Sequence, residues 1–198
     1  MTTRHTTAGI LLAAGSGRRF DATGARNKLF QLLDGGESVA QRAAHSQLNV
    51  LSTVIAVVSN AQLAEQLERL GCKVLFYSEA QQGMGASLAY AVRHVVTHVQ
   101  GAQSVLIGLA DMPYVLPDTI SALVTQLELG TGIVQPVYQE QGGHPVGFAR
   151  EYFPALMALQ GDTGARHLLR EFPVLRVPVA DPGIILDIDY LSDLNLTP

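Results

Sequence analysis

The chain has 198 residues, of which 47% are hydrophobic and 15% are charged, a balance typical of a folded globular protein rather than a disordered one. Its formal net charge is −4 and no run rich in Lys or Arg occurs, so we expect no nucleic-acid partner. Cys72 is the only cysteine, which excludes an intrachain disulfide and a cysteine metal cluster. Its position ahead of the apolar run KVLF predicts a packed, buried thiol.

The first residues, MTTRHTTAG, are polar and lack the uninterrupted apolar stretch of a signal peptide. No stretch of the sequence approaches the roughly 20 apolar residues that are needed to span a bilayer. We therefore expect a cytoplasmic protein that has no membrane partner.

Up to Gly130 the sequence alternates short apolar runs with helical patterns. The apolar runs predict four strands, at residues 9–14, 54–58, 73–77 and 104–109. The helical patterns predict four helices, at residues 38–48, 61–70, 87–99 and 117–129. Ser38 is the expected N-cap of the first helix. Alternation of this kind predicts an α/β fold with a mostly parallel sheet that helices cover on both faces.

After Gly130 the pattern changes. Strand-like runs at residues 133–138 and 145–149 flank QEQGGH, a glycine-rich connection suited to a β-hairpin. Beyond them the patterns predict helices at 150–159 and 164–171, short strands at 174–179 and 184–188, and a final helical turn. No repeat or linker occurs, so we expect one domain, residues 1–198, whose last third elaborates the substrate side.

The segment LLAAGSGRR follows the first predicted strand directly, and ligands bind at the carboxyl ends of the strands in parallel α/β sheets. Gly15 and Gly17 let the backbone approach phosphate oxygens, and Arg18 and Lys28 add positive charge. The spacing lacks the third glycine of a dinucleotide-binding G-x-G-x-x-G, and neither GKS nor GKT of a P-loop occurs. The alternative is a glycine turn with solvated arginines.

A second glycine-rich segment, GMGASL, precedes the predicted helix that starts near Ala86 or Ser87. Backbone N–H groups at a helix N-terminus, together with the Ser87 hydroxyl, suit a phosphate or the edge of a base. The alternative is that Ser87 only caps the helix, a role worth about 1 kcal/mol.

Three aspartates are expected at the same edge of the sheet as the first loop. LADMP places Asp111 at the end of the fourth predicted strand, and LDIDY places Asp187 and Asp189 two residues apart, on one face of a strand. Carboxylates from separate strand ends form a hard oxygen site for Mg²⁺, which bridges triphosphate oxygens. The alternative for Asp189 is to cap the final turn, YLSDLN.

A triphosphate, Mg²⁺ and basic loops imply attack at a phosphorus atom, catalysed mainly by positioning and by electrostatic stabilisation. No dedicated nucleophile is evident in the sequence, because Cys72 is expected to be buried and the histidines are scattered. A substrate phosphate that attacks the α-phosphorus needs no covalent enzyme intermediate. Pyrophosphate would leave, its charge met by Mg²⁺, Arg18 and Lys28.

The ordered set LLAAGSGRR, GMGASL, LADMP, GGHPVGF, GDTGAR and LDID resembles that of the molybdenum cofactor nucleotidyltransferases, most of all their molybdopterin cytidylyltransferase branch. The resemblance runs from Gly9 to about Leu194. It implies a Rossmann-like nucleotidyltransferase fold, with a nucleotide-binding half at about 9–130 and an acceptor-side half at about 131–198. It also implies Mg²⁺-dependent transfer of CMP from CTP to a molybdopterin phosphate, and a molybdoenzyme that receives the product.

By position, the resemblance assigns a role to each matching residue. The nucleotide would be bound by Leu12, Ala13, Ala14, Gly15, Gly17, Arg18, Lys28, Gly83, Gly85 and Ser87. The catalytic residues would be Arg18, Lys28 and Asp111. Asp111 would bind Mg²⁺, with Asp187 or Asp189 as the second carboxylate. His144 and Arg166 would contact the acceptor.

Alternatives stay open for the acceptor-side residues. His144 also suits a hairpin histidine that faces water, and Arg166 a solvated helix residue. Asp162 or Thr163 suits a cap for the helix that follows.

The sequence also departs from the family pattern. The stretch FDATGARN between Arg19 and Lys28 is longer than usual, so Arg26 is an alternative to Lys28 at the triphosphate. The choice of CTP rests on Ala13-Ala14-Gly15, which is similar to the cytidylyl branch rather than the guanylyl branch. Three other functions are considered: use of another nucleoside triphosphate, a sugar or polyol phosphate acceptor, and a non-catalytic chaperone for the cofactor.

Overall fold

The computed structural model describes residues 6–15, 20–21, 26–78 and 83–195. The strands are β1 (Thr6–Ala13), β2 (Val54–Val58), β3 (Lys73–Phe76), β4 (Ala102–Leu109), β5 (Ile133–Tyr138), β6 (Gln141–Gly142), β7 (Val146–Ala149) and β8 (Leu175–Pro178). The α-helices are α1 (Val39–Leu48), α2 (Ala61–Arg69), α3 (Met84–His98), α4 (Pro117–Glu128), α5 (Phe153–Met157) and α6 (Leu168–Glu171). Short 3₁₀ turns cover Lys28–Phe30, Arg150–Tyr152, Pro182–Ile185 and Leu191–Asn195.

One sheet runs in the order β3-β2-β1-β4-β7-β5-β6, and β8 pairs with β5. The strands β1 to β4 are parallel, whereas β7 is antiparallel to both β4 and β5. Leu12 lies opposite Leu109, so the carboxyl ends of β1 and β4 are neighbours. The predicted α/β fold, with a mostly parallel sheet and a small hairpin region, is confirmed.

Helices cover both faces of the sheet, and each face has its own core. Alternate side chains of β1 enter opposite cores: Leu11 packs with α1, α2 and α4, whereas Ile10 packs with α3 and α5. All five residues of β2 are buried, as expected for a strand with neighbours on both sides and helices on both faces. No helix among the described residues is long and apolar enough to cross a membrane.

The start of α1 shows how local sequence sets an element. Ser38 is its N-cap: the Ser38 hydroxyl accepts from the Gln41 N–H at 3.3 Å, and the Gln41 side chain accepts from the Ser38 N–H at 2.8 Å. This reciprocal pair is a capping box. The predicted N-cap is therefore confirmed.

Several predicted elements have other bounds in the structure, and β1 begins at Thr6 rather than at residue 9. The helix expected from residue 87 begins at Met84, and the one expected at 164–171 spans only Leu168–Glu171. Residues 184–188, all of them described, form no strand, because Pro182 and the Asp181 side chain direct the chain into a 3₁₀ turn.

The hairpin after β5 turns earlier than its glycines suggest. Gln139 and Glu140 form the two-residue turn with φ values of 46° and 70°, and β6 pairs back onto β5. Gly142 and Gly143 come after the turn. Added Cβ atoms there would press against Gln135 and Ile184, so these glycines allow close packing rather than the turn itself.

Candidate functional site

Three carboxylates meet at the carboxyl end of the parallel strands. Asp111 follows β4, and Asp187 and Asp189 lie in the irregular segment after the Pro182–Ile185 turn. One oxygen from each carboxylate lies within 4.8 Å of the other two. Hard oxygen donors at this spacing fit a divalent cation such as Mg²⁺ or Mn²⁺. We call this set the three-carboxylate group.

A backbone hydrogen bond brings the distant aspartates to Asp111. The N–H of Ile188, between Asp187 and Asp189, donates to the Asp111 carbonyl at 2.8 Å. The Ile188 side chain is fully buried in the core that contains α1 and α4. This anchor brings the flanking carboxylates beside Asp111 without the strand that the sequence suggested.

Lys28 lies against the three-carboxylate group. Its Nζ is 2.6 Å from Asp111 Oδ2 and 2.8 Å from Asp189 Oδ1, and its side chain is 11% exposed. Asn27 holds the Lys28–Phe30 turn by accepting from the Leu29 N–H. Despite the long preceding stretch, the chain thus returns Lys28 to the site. Arg26 is exposed, and its backbone N–H donates to Asp21.

The ionisable groups here perturb one another. Burial alone would lower the pKa of Lys28, but the charges and hydrogen bonds of Asp111 and Asp189 outweigh it and raise that pKa. Burial raises the pKa of Asp187, as do the charges of Asp189 and Asp111, while Lys28 acts in the opposite sense. Three carboxylates lie beside one ammonium, so the formal charge of these groups remains negative, which favours a divalent cation.

The first loop lies beside Asp111. The Leu12 carbonyl accepts from the Ala110 N–H at 3.0 Å, which joins the end of β1 to LADMP, and Ala13, Ala14 and Gly15 follow. A Cβ on Gly15 would meet no atom of the described residues within 4 Å, so no described part of the chain crowds this position. Gly17 and Arg18, predicted to bind phosphate, lie outside the described residues, as does Arg19.

The second loop, GMG, packs against the GDTG segment at residues 161–164. The N–H of Gly85 donates to the Gly161 carbonyl at 2.7 Å, and a Cβ on Gly85 would lie 2.8 Å from that oxygen. A Cβ on Gly83, where φ is 98°, would collide with Gly161 and Asp162. These glycines therefore let GMG approach GDTG closely. The Gly85 N–H donates to a protein carbonyl.

Ser87 does not cap α3, because the helix begins at Met84 and Gly83 is the N-cap. The Ser87 hydroxyl is buried and donates to the Gly83 carbonyl at 3.2 Å, so it lies inside the first turns of the helix.

In the C-terminal turn, the backbone N–H groups of Asp189 and Tyr190 donate to the Asp193 carboxylate. Asp193 thus supplies the hydrogen bonds of the final turn that Asp189 was considered for.

His144 and Arg166 lie in the same region as Asp111. Burial lowers the pKa of His144, the carbonyl of Ile107 and the charge of Asp111 oppose this, and Arg166 adds to it. His144 Nδ1 is inaccessible and has no hydrogen-bond partner in the described part of the chain, so this histidine does not face water. Arg166 is exposed in the turn before α6.

Sequence reasoning missed one buried residue that links two segments of this site. Asp181 accepts hydrogen bonds from Leu116, at the end of the β4–α4 connection, and from Gly183, in the C-terminal segment. The tripeptide DPG is a turn signature and was a usable signal. Its long-range partners, Leu116 and Thr119, have no counterpart in a local pattern.

Comparisons with known proteins identify the family of the chain. The model of the family described as MobA-like NTP transferase domain matches residues 9–177. Purine catabolism protein PucB of Bacillus subtilis (strain 168) is 28% identical over 202 residues, covering 95% of this chain and 94% of PucB.

Solved structures with a similar fold cover nearly the whole chain. The structure of Rv0371c from Mycobacterium tuberculosis H37Rv is 25% identical, covers 96% of both chains and superposes with a TM-score of 0.78. Its complex with manganese covers 96% of this chain and 95% of that one, with a TM-score of 0.72. Molybdopterin-guanine dinucleotide biosynthesis protein A from Archaeoglobus fulgidus, 20% identical with 94% of each chain covered and a TM-score of 0.68, shares the fold.

Proposed function

Because the chain belongs to the MobA-like NTP transferase domain family, we propose that this nucleotidyltransferase uses Mg²⁺ to transfer CMP from CTP to a molybdopterin phosphate, releasing pyrophosphate. The observation that carries the proposal is the three-carboxylate group with Lys28, beside the first loop at the carboxyl ends of β1 and β4. Family membership supplies the reaction class, whereas the nucleotide, the acceptor and the metal are the proposal.

Asp111, Asp187 and Asp189 would hold the cation. The manganese complex of the M. tuberculosis relative supports a divalent ion in this fold. A cation held by these carboxylates would supply positive charge that stabilises the triphosphate. A carboxyl binds a cation as the carboxylate, so the raised pKa of Asp187 would make cation binding weaken at a higher pH than for an ordinary aspartate.

Lys28 supplies the second positive charge. Its raised pKa keeps the ammonium protonated, and its ion pairs with Asp111 and Asp189 hold it beside the cation ligands. There it stabilises the negative charge that develops on the leaving pyrophosphate. Gly15, Gly17 and Arg18 of the first loop would bind the triphosphate. The choice of CTP as the nucleotide rests on Ala13-Ala14-Gly15.

The acceptor phosphate would itself be the nucleophile. Burial raises the pKa of the Cys72 thiol to about 11, so Cys72 is not a nucleophile at neutral pH. His144, whose pKa is lowered by burial, would contact the pterin as an uncharged ring, and the exposed Arg166 would bind its phosphate. The product would pass to a molybdoenzyme.

The test is to incubate the protein with Mg²⁺, molybdopterin and each of the four nucleoside triphosphates in turn, and to measure pyrophosphate release. We expect release with CTP. Asp111→Asn, nearly equal in size to the wild-type side chain, should lower the rate by about three orders of magnitude, since a bound metal supplies several kcal/mol of transition-state stabilisation.

Each other result has a defined meaning. Release with GTP alone would overturn the choice of base. In a parallel incubation, a sugar or polyol phosphate replaces molybdopterin, and release only in that incubation would overturn the acceptor. Full activity of Asp111→Asn would show that Asp111 binds no catalytic metal. No release with any combination would contradict the proposed reaction.

A further inference from the structure

Asp181 is a buried carboxylate that lies outside the three-carboxylate group. It is 2% exposed and lies between β8 and the Pro182–Ile185 turn. Its Oδ2 accepts from the Leu116 N–H at 2.9 Å and from the Thr119 hydroxyl at 2.6 Å. Its Oδ1 accepts from the Gly183 N–H at 2.9 Å. Three donors thus converge on one carboxylate, the arrangement that makes burial of a charge tolerable.

These donors belong to two segments that each carry part of the three-carboxylate group. Leu116 is the N-cap of α4 and ends the connection that begins with Asp111. The Leu116 side chain cannot cap the helix. The Asp181 carboxylate accepts from the Leu116 N–H instead, and it places negative charge at the α4 N-terminus, where the helix dipole favours it. Gly183 lies in the turn that leads to Asp187 and Asp189.

The same two segments are in direct backbone contact. A Cβ on Gly183 would collide with the Tyr114 carbonyl, so the turn lies directly on the β4–α4 connection. Farther along, the Ile188 N–H donates to the Asp111 carbonyl. Asp181 and Ile188 therefore join the two segments at two points, and Asp187 lies on the chain between those points.

We propose that Asp181 is a positioning residue for divalent-cation binding. Its hydrogen bonds to Leu116 and Thr119 hold the segment that carries Asp187 and Asp189 against Asp111. The inference rests on the proposed function, because it requires the three-carboxylate group to bind a cation. Removing a residue that orients metal ligands typically weakens metal affinity ten- to a hundredfold.

The test measures Mn²⁺ affinity by electron paramagnetic resonance, in the full-length protein without nucleotide or acceptor. Asp181→Asn keeps the side-chain size but replaces one accepting oxygen with an NH₂ group that cannot accept. We expect the Mn²⁺ dissociation constant to rise about tenfold. Thr119→Val, nearly isosteric, removes one donor and should cause a smaller rise in the same direction. If Asp181→Asn fails to fold, the Mn²⁺ affinity of Thr119→Val tests the positioning role.

A matched control separates positioning from general destabilisation. Ser104→Ala removes the buried Thr7–Ser104 hydrogen bond of 2.7 Å, near the start of β1 and away from the carboxylates. It should lower the melting temperature and leave Mn²⁺ affinity unchanged. Wild-type affinity in folded Asp181→Asn or Thr119→Val, or equal weakening in Ser104→Ala, would refute the positioning role. Equal Mn²⁺ binding by wild type and Asp111→Asn would instead refute the metal site itself.

Discussion

Lys28 binds two carboxylates that come from distant parts of the chain. Asp111 follows β4, whereas Asp189 lies 161 residues beyond Lys28 in the sequence. An ammonium that occupies two of three oxygen ligands competes with any cation for the same site. Once a nucleotide binds, its phosphate oxygens add negative charge, and the interaction of the same ammonium with them is attractive. We therefore expect Lys28 to oppose cation binding before the nucleotide arrives and to support the proposed reaction afterwards.

We predict that Lys28→Met, which keeps the apolar stem and removes the charge, tightens Mn²⁺ binding several-fold in the absence of nucleotide. The same variant should lower kcat, because the leaving pyrophosphate loses a positive partner. Titration with Mn²⁺ and steady-state kinetics measure the two effects. Lys28→Arg, which retains the charge, is the matched control and should bind Mn²⁺ nearly as the wild type does. Weaker Mn²⁺ binding in Lys28→Met would contradict the competition.

At the residue scale, the sequence indicates which side chains could form the site, but it does not indicate which of them are in contact. Aspartates in LADMP and LDIDY were predicted as partners because both motifs end apolar runs, and the structure brings them together. The choice between Lys28 and Arg26 had no answer in the sequence, since an ion pair across 161 residues leaves no local pattern. The role of Ile188, a backbone donor, is invisible to any argument from side-chain type.

At the scale of elements, the start of α3 depends on a tertiary contact. Glycines have low helix propensity, so the sequence predicted a start near Ser87. The hydrogen bond from Gly85 to the Gly161 carbonyl holds the first turn in place and starts the helix at Met84. The final strand prediction failed for the converse reason. Residues 184–188 are mostly apolar, as a short buried strand is, but the Asp181 cap and Pro182 impose a turn.

Two glycine substitutions should separate packing from binding. Gly85→Ala places a methyl group against the Gly161 carbonyl and should lower the free energy of unfolding by about 1 to 3 kcal/mol. Gly15→Ala meets no atom of the described residues, so it should leave that free energy nearly unchanged while raising KM for the nucleotide. Chemical denaturation and steady-state kinetics provide the two measurements. Equal stability losses in both variants would contradict this assignment.

At the scale of the whole molecule, the sheet and its two cores were predictable because they follow from periodicity. The runs that became β1, β2 and β4 are continuous and apolar, as strands buried on both faces must be. The antiparallel insertion of β7 between β4 and β5 was not predictable, since strand order depends on long-range pairing rather than on pattern.

The buried thiol of Cys72 links global stability to pH. Its pKa is raised by burial from 9.0 to about 11, so the unfolded chain loses this proton first as the pH rises. The contribution is fully present below pH 9 and is lost as the pH rises towards the folded-state value. We expect wild type to lose about 1 kcal/mol more stability between pH 9 and 10 than Cys72→Ala does. Denaturation curves at both pH values measure it, and equal losses would show that burial does not hold the thiol protonated.

The close contact between GMG and GDTG also bears on how such a chain diversifies. Gly83 and Gly85 have no room for a side chain because the carbonyl of Gly161 and the Asp162 side chain occupy that space. In a homologue with a bulkier residue in one segment, the backbone of the other segment must lie farther away. The two segments are therefore expected to co-vary across relatives, and a chimaera that imports a new acceptor-side loop must import its matching glycine loop as well.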